Sequence, residues 1–245
     1  MTNPTIELLA SHRSIRRYTG EPIPEPLLAA LIRAGQGAPS SSFIQAYSVI
    51  RVTRPEARAA IRQAAGGQSW IERAAEFLVF CADLRRVDVA CRREGLGALE
   101  GWTEHGLAAI VDLALMAQNV LTAAESAGLG GVFIGGIRND PEAVVEQLGL
   151  PELAVPLVGL CLGWPAEAPP IKPRLPLELV LHQDRYRDPD PAAMAAYDRT
   201  LADYYAVRRP NARRGDWSSS VARAMQGKKR EHMLAFLRRL GFFRQ

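Results

Sequence analysis

The chain has 245 residues, 48% of them hydrophobic and 23% charged, which is the composition of one large or two small globular domains and not of a disordered protein. No run reaches about 18 uninterrupted apolar residues, and no basic region precedes an apolar run at the N-terminus, so we expect a cytoplasmic protein with neither a membrane helix nor a secretory signal. Residues 207–245 hold eleven Lys or Arg against two acids, a net charge of +9 in a chain of +4, which leaves residues 1–206 at −5. Such a tail can bind nucleic acid or an anionic small molecule, or it can simply be solvated.

The first half of the chain shows both helical and extended patterns. Apolar spacing predicts helices over residues 5–13 and 24–35, a strand over 47–53, a helix from Pro55 that breaks at Gly66, and a strand over 75–83. A helix over 107–127 is apolar around most of its circumference. We therefore expect it to be buried nearly all round, at the centre of the protein or of a subunit interface.

The second half predicts two strands and then mainly helices. A short strand at 130–136 precedes a helix capped by Asn139 or Asp140, with Pro141 at its first position. A nearly continuous apolar run predicts a strand over residues 155–164, and the prolines of 165–176 predict an irregular stretch. A helix is expected over 191–207, and two short helices are expected after Pro210. Because strands and helices do not alternate regularly, we expect an α+β fold in one domain, 1–245, with a basic arm from about 207.

Several common sites are excluded by their missing motifs. There is no GxxxxGK[ST] loop and no GxSxG, and the glycines at 128–131 close a helix rather than open one, so a Rossmann site is not expected. Four scattered histidines offer no metal-ligand pair, so no metal site is predicted. Cys81 and Cys161 lie in apolar runs typical of core thiols.

Three polar clusters remain, and each has a simple structural explanation when taken alone. They are His12-Arg13-Ser14-Ile15-Arg16-Arg17, Ser40-Ser41-Ser42 and Lys172-Pro173-Arg174. Basic residues after a helix can satisfy its dipole, and serines after Gly and Pro are common in loops. If the three clusters converged, their guanidinium, ammonium and hydroxyl groups would form a phosphate site.

A family resemblance decides between these interpretations. The chain resembles the oxygen-insensitive NADPH nitroreductase and flavin reductase family of the nitroreductase superfamily. The motifs that carry the resemblance occur in family order over nearly the whole chain: TIELLASHRSIRRYTGEPI at 5–23, SSSFIQ at 40–45, GGQ at 66–68, AAEFLVFCAD at 74–83, AAESAGLGGVFIGGIRND at 123–140, GLCLGWP at 159–165, KPRLP at 172–176 and YY with following arginines and Trp at 204–217.

The resemblance implies a mainly antiparallel sheet wrapped by helices, in an intertwined homodimer with FMN at each of two interface pockets. It implies the following FMN neighbours: His12, Arg13, Ser14, Lys172 and Arg174 around the phosphate and ribityl chain; Arg16 at the pyrimidine edge; Ser40, Ser41 and Ser42 from the partner chain; Gln68 at the polar edge of the ring; and Phe133, Ile134, Gly135 and Gly136 along the ring. Many relatives have Tyr where this chain has Phe133, which removes a hydroxyl.

The resemblance also implies the reaction. Hydride passes from NADPH through FMN to nitroaromatics, quinones or similar acceptors in two-electron steps, and no side chain is required as acid or base. Arg208 and Arg213 match the arginines that hold the 2′-phosphate of NADPH. The alternatives are an NADPH–FMN reductase that supplies free reduced flavin, a non-catalytic flavin-binding protein, and a nucleic-acid-binding protein, which the sequence does not support because basic and aromatic residues are not interleaved.

Overall fold

The computed structural model describes residues 2–207, 215–227 and 229–245. Its contacts divide the chain into two compact units. The first unit comprises Met1–Ala168 and Arg230–Gln245, and the second comprises Pro169–Lys229. The prediction of a single domain with an arm from about 207 stays a prediction.

The first unit is built on a four-stranded antiparallel sheet. Its strands are β1 (Tyr47–Arg51), β2 (Glu76–Asp83), β3 (Gly130–Ile134) and β4 (Ala154–Gly163), in the spatial order β1-β2-β4-β3. All eight residues of β2 are buried, and β4 is mostly buried, as its continuous apolar run predicts. Alternate residues of β2 enter two separate hydrophobic clusters, so both faces of the sheet are covered. The α+β prediction with an antiparallel sheet is confirmed.

The described residues form ten α-helices, eight in the first unit and two in the second. Those of the first unit are α1 (Pro4–Ala10), α2 (Glu25–Gln36), α3 (Pro55–Ala64), α4 (Trp70–Arg73), α5 (Arg85–Arg93), α6 (Thr103–Ser126), α7 (Pro141–Leu148) and α10 (Met233–Arg239), while α8 (Pro191–Val207) and α9 (Trp217–Met225) lie in the second unit. Asp140 caps α7 by accepting a hydrogen bond from the Ala143 N–H, with Pro141 at the first helical position. Both features are as predicted.

Two predicted boundaries near the expected site are wrong. The first helix ends at Ala10 instead of residue 13, because the chain after it forms backbone hydrogen bonds with Gly131 of β3 and with Ala166, beyond the end of β4. The strand predicted over 130–136 ends at Ile134, and Gly135–Arg138 form a 3-10 turn. The sequence does not predict helices α4 and α5, because α4 is a single turn of four residues and α5 is short and has more charged than apolar residues.

The prediction that helix α6 is buried nearly all round is not met within one chain, and it stays a prediction for a subunit interface. Within this chain one face is buried against the core, whereas Leu107, Val111 and Leu115 are 48%, 54% and 40% exposed. The helix is long and apolar enough to cross a membrane by length and composition, a test that core helices also pass. Its buried face contacts α2, β1, β2 and β3, as expected of a core helix.

The second unit begins with irregular, proline-rich chain that is fixed to α8. The hydroxyl of Tyr197 donates to the Pro173 carbonyl at 3.0 Å, and that of Tyr204 donates to the Pro170 carbonyl at 3.3 Å. Helix α9 is tied to α8 by the Ser218 N–H, which donates to Asp198 at 2.8 Å. The predicted helix 191–207 and irregular stretch 165–176 are confirmed.

Candidate functional site

Residues 12–17 form an extended segment beside the ends of β3 and β4. The Ile15 N–H donates to the Gly131 carbonyl at 3.0 Å, and the Ala166 N–H donates to the Arg17 carbonyl at 2.9 Å. The Ile15 side chain is 3% exposed and lies against Gly130, where a Cβ would meet it at 2.5 Å. A side chain at residue 130 would therefore push this segment away from the sheet.

His12 is held by a carboxylate from the last turn of α6. Its Nδ1 lies 2.6 Å from Glu125 Oε1, and both side chains are mostly buried. The Arg13 Nε donates to the Ser11 carbonyl at 3.2 Å, and Ser14 is half-buried between Arg13 and Ile15. With Nδ1 engaged by Glu125, the Nε2 edge is the part of the His12 ring that remains to bind another group.

Arg16 is exposed and lies over an indole ring. Its guanidinium carbon is 5.6 Å from the centroid of the Trp70 ring, a cation–π distance. The backbone N–H groups of Arg16 and Arg17 both donate to Glu167 Oε1, at 2.7 and 3.1 Å. The carboxylate thus fixes the backbone at this point, and Trp70 limits where the Arg16 side chain can go.

Gln68 and the glycine pair after β3 are in direct contact. Gln68 Nε2 donates to the Ala65 carbonyl at 2.9 Å. A Cβ on Gly136 would lie 2.3 Å from Gln68 Nε2 and 2.6 Å from the Ala65 oxygen, so only glycine fits there. A Cβ on Gly135 would lie 3.2 Å from the Arg138 guanidinium. Ile134 is buried and Phe133 half-buried in β3, immediately before this pair.

The three serines lie in a loop between α2 and β1. Ser41–Phe43 form a 3-10 turn, with Ser42 and Phe43 in the left-handed region at φ 45° and 58°. The Ser40 hydroxyl donates to Asp112 Oδ2 of α6 at 2.7 Å. The donor of the Ser40 side chain is therefore engaged within the chain itself.

Lys172 and Arg174 belong to the second unit, where each lies near one tyrosine of α8. Lys172 Nζ lies 5.3 Å from the centroid of the Tyr205 ring. Burial raises the pKa of Tyr197, and the nearby positive charge of Arg174 opposes that rise. Arg208 and Arg213 lie outside the described residues.

The buried thiols take no part in this chemistry. Cys81 and Cys161 are fully buried and free, and burial raises the pKa of Cys81 to about 12 and raises that of Cys161 as well. Because the thiolate is the reactive form, both thiols are inert core groups, as predicted.

The donor set at the end of β3 suits a flavin. Arg16 lies over Trp70, and Gln68, which precedes Trp70 by two residues in the chain, contacts Gly136. A flat ring needs the close backbone approach that glycine gives, and its pyrimidine edge takes hydrogen bonds from amide and guanidinium groups. The residues present therefore fit FMN.

Sequence reasoning missed four residues that organise this site: Asp112, Glu125, Glu167 and Trp70. Asp112 is the one acid within the apolar middle of α6, and such an isolated charge is the signal that could have revealed it. Glu125 lies inside a motif that carries the resemblance, but nothing in the sequence links it to His12. Glu167 lies in an irregular stretch that gives no signal.

Comparisons with known proteins identify the family of this chain. The nitroreductase family model matches residues 9–164, and the model of the family's C-terminal domain matches residues 172–245. The chain belongs to the nitroreductase family. It is 48% identical to the oxygen-insensitive NADPH nitroreductase of Salmonella typhimurium and 44% identical to the NADPH-flavin oxidoreductase of Vibrio harveyi, each over 98% of both chains.

A solved structure extends the comparison to three dimensions. The NADPH:FMN oxidoreductase from Vibrio harveyi, complexed with NAD+, superimposes with a TM-score of 0.91 at 41% identity, covering 99% of this chain and 100% of that one. The family membership predicted from the sequence motifs is therefore confirmed.

Proposed function

We propose that this nitroreductase-family protein is an FMN-dependent enzyme that passes hydride from NADPH to small electron-poor acceptors, nitroaromatics and quinones among them. The observations that carry the proposal are the contact of Arg16 with Trp70 and that of Gln68 with Gly136 after β3, in a chain whose full-length relatives are named NADPH nitroreductase and NADPH-flavin oxidoreductase. When bound, FMN would supply the redox chemistry, because its ring can accept a hydride and pass on two electrons.

The protein's contribution is binding, orientation and electrostatics. We assign His12, Arg13 and Ser14, together with Lys172 and Arg174, to the phosphate and ribityl chain. Arg16 would face the pyrimidine edge, where its positive charge stabilises the negative charge that reduction adds. Gln68 would bond the polar edge of the ring, and Phe133, Ile134, Gly135 and Gly136 would line it, with a backbone N–H from one glycine near N5 and O4.

The proposal includes a homodimer in which Ser40, Ser41 and Ser42 reach the flavin of the partner chain. Exposed apolar side chains support the dimer, because contact between such a surface and water is unfavourable. They are Leu107, Val111 and Leu115 on α6, and Phe43 in the loop between α2 and β1 that contains the three serines. An obligate interface buries more than about 2,000 Å². Sedimentation should give a dimer at assay concentrations, and an active, flavin-loaded monomer would refute this part.

Arg208 and Arg213 would hold the 2′-phosphate of NADPH, since only that group distinguishes NADPH from NADH. Loss of one charge-assisted bond costs about 1.5–3 kcal/mol, so each Arg→Ala change should raise the NADPH KM on the order of ten- to a hundredfold. The KM for NADH should not change. An unchanged ratio of NADPH to NADH efficiency in both variants would show that other residues read the phosphate.

The direct test is the visible spectrum of the purified protein before and after anaerobic NADPH. We expect one FMN per chain, bleached by NADPH and restored by a nitrofuran or a quinone. Arg16→Ala should weaken FMN binding or slow its reduction, whereas Arg17→Ala, which changes the neighbouring exposed arginine, should do neither. A protein that takes up no FMN would overturn the proposal.

A flavin reductase is the second candidate, because the Vibrio harveyi relative is named an NADPH-flavin oxidoreductase. The two activities differ in what leaves the protein. A reductase shows saturable turnover with added FMN as acceptor and releases it reduced, while a nitroreductase keeps its flavin and turns over the nitro compound faster. We place either activity in the cytoplasm, with small molecules rather than nucleic acids or membranes as partners.

A further inference from the structure

The serine loop, residues 40–45, is tied to the core by one buried carboxylate. Asp112 lies on the buried face of α6 and accepts three hydrogen bonds. The Ser40 hydroxyl donates to Oδ2 at 2.7 Å, the Ser41 N–H to Oδ1 at 2.8 Å and the Ala46 N–H to Oδ2 at 3.2 Å. All three donors come from this loop and its junction with β1, so the carboxylate fixes both ends of the loop.

Ser40 extends the same anchor across the loop. While its hydroxyl donates to Asp112, its oxygen accepts a hydrogen bond from the Gln45 N–H at 2.7 Å. The first and last residues of the loop are therefore joined through one side chain. The Ser40 hydroxyl and the Ser41 N–H are both engaged, which leaves the hydroxyls of Ser41 and Ser42 to bind a ligand.

The loop needs such an anchor because its backbone is strained. Ser42, Phe43 and Gln45 have φ values of 45°, 58° and 49°, a region that L-residues other than Asn and Asp rarely adopt. Burial does not compensate, because the Phe43 side chain is 80% exposed. The strained conformation therefore persists through the hydrogen bonds to Asp112 and Ser40.

We propose that Asp112 is a positioning residue for flavin binding, which presets the loop so that Ser41 and Ser42 present their hydroxyls to FMN while Ser40 acts as part of the anchor. This inference rests on the proposed function, which brings the loop to FMN. It refines the assignment of the three serines to the flavin, because Ser40 then shapes the loop and only Ser41 and Ser42 bind. A flexible loop would have to be ordered on binding, at the expense of affinity.

The test compares flavin-free full-length variants titrated with FMN by fluorescence, with the thermal midpoint of each measured in parallel. Asp112→Asn keeps the shape of the side chain but replaces an acceptor oxygen with an N–H2 group that faces the donors of Ser40, Ser41 and Ala46. Because one charge-assisted hydrogen bond is then lost, the FMN Kd should rise about tenfold or more. Ser40→Ala should act in the same direction and keeps the test open if Asp112→Asn does not fold. The double variant should bind no more weakly than the worse single variant, because both act through one anchor.

A matched control separates positioning from general destabilisation. Glu76 is also a buried carboxylate, but it is bonded to Arg51 through Nε at 2.7 Å and Nη2 at 2.6 Å, away from the loop. Glu76→Gln should lower the thermal midpoint and leave the FMN Kd near that of wild type. With saturating FMN, Asp112→Asn should recover a turnover number close to wild type, because the defect is in binding.

The failures can be told apart. Wild-type protein that binds no FMN overturns the proposed function itself. Wild-type binding with an unchanged Kd in Asp112→Asn or in Ser40→Ala overturns the positioning role alone. Equal loss of affinity in Glu76→Gln, or fully additive effects of Asp112→Asn and Ser40→Ala, also overturns it, since the anchor would then be no different from any other buried contact.

Discussion

Two of the segments of the first unit that we assign to FMN are held in opposite ways. Residues 12–17 are extended, bonded by their backbone to β3 and to Ala166 beyond the end of β4, and held in place by the buried Ile15. The serine loop is left-handed at three positions, exposes Phe43 and depends on Asp112. Each segment also contacts one carboxylate of α6, but Glu125 orients a side chain, His12, whereas Asp112 binds two backbone N–H groups and the Ser40 hydroxyl. Packing of Ile15 and backbone hydrogen bonds fix the conformation of the first segment, whereas hydrogen bonds to one buried carboxylate fix that of the second.

The largest expected effect is on the unfolding free energy, and it shows which of the two segments is held by packing. Ile15→Ala removes a buried side chain that fills the space over Gly130, and such truncations cost about 2–5 kcal/mol of unfolding free energy. Phe43→Ala truncates a larger but exposed side chain, so it should change the unfolding free energy of the isolated chain by less than about 0.5 kcal/mol. Urea unfolding at several protein concentrations measures both. Similar losses in the two variants that do not depend on protein concentration would show that the loop, too, is held by packing within the chain.

A smaller effect is expected at the other carboxylate. Glu125→Gln leaves the segment in place and removes only the charge that faces His12 at 2.6 Å. We expect the FMN Kd to rise about three- to tenfold, on the order of 1 kcal/mol, with little change in the thermal midpoint. Glu142→Gln breaks a surface ion pair with Arg239 and is the matched control, which should bind FMN normally. If Glu125→Gln behaves like that control, the His12 orientation does not matter for binding.

Much of the fold follows from local sequence signals. Helix α8 has the predicted bounds, the Asp140 cap with Pro141 is where its chemistry predicts, and the apolar run of β4 marks a strand covered on both faces. The helical pattern of residues 11–13 is overridden, because Ile15 gains a hydrogen bond to Gly131 and burial against Gly130 that a longer helix would forfeit. Propensity in so short a stretch is weaker than such tertiary contacts.

The site is less readable from sequence than the fold. Glycine at 136 can be anticipated near a flat ring, but its contact with Gln68 joins residues 68 positions apart. The links from Asp112 to Ser41 and from Glu125 to His12 span 71 and 113 positions. Local patterns carry no information about such pairs, and a single sequence offers no covariation to supply it. The family motifs mark which segments matter, and the structure shows what holds them.

The smallest effect should have the opposite sign, and it tests the strain in the loop directly. Gln45 has φ 49°, which costs an L-residue about 1–2 kcal/mol and costs glycine nothing. Glycine also loses more chain entropy on folding, about 0.5–1 kcal/mol, so Gln45→Gly should raise the unfolding free energy by about 0.5 kcal/mol. That corresponds to a rise of about 1–2 °C in the thermal midpoint for a chain of this size.

The same substitution in a helix is the matched control for this last prediction. Gln63 lies in α3, where glycine should lower the unfolding free energy by about 0.5–1 kcal/mol. The FMN affinity of Gln45→Gly should stay near that of wild type, because the Gln45 N–H still donates to Ser40 Oγ. If Gln45→Gly destabilises the protein as much as Gln63→Gly does, the left-handed backbone at residue 45 is not strained. Asp112 would then hold a loop that already favours this conformation, and the contrast with residues 12–17 would lose its physical basis.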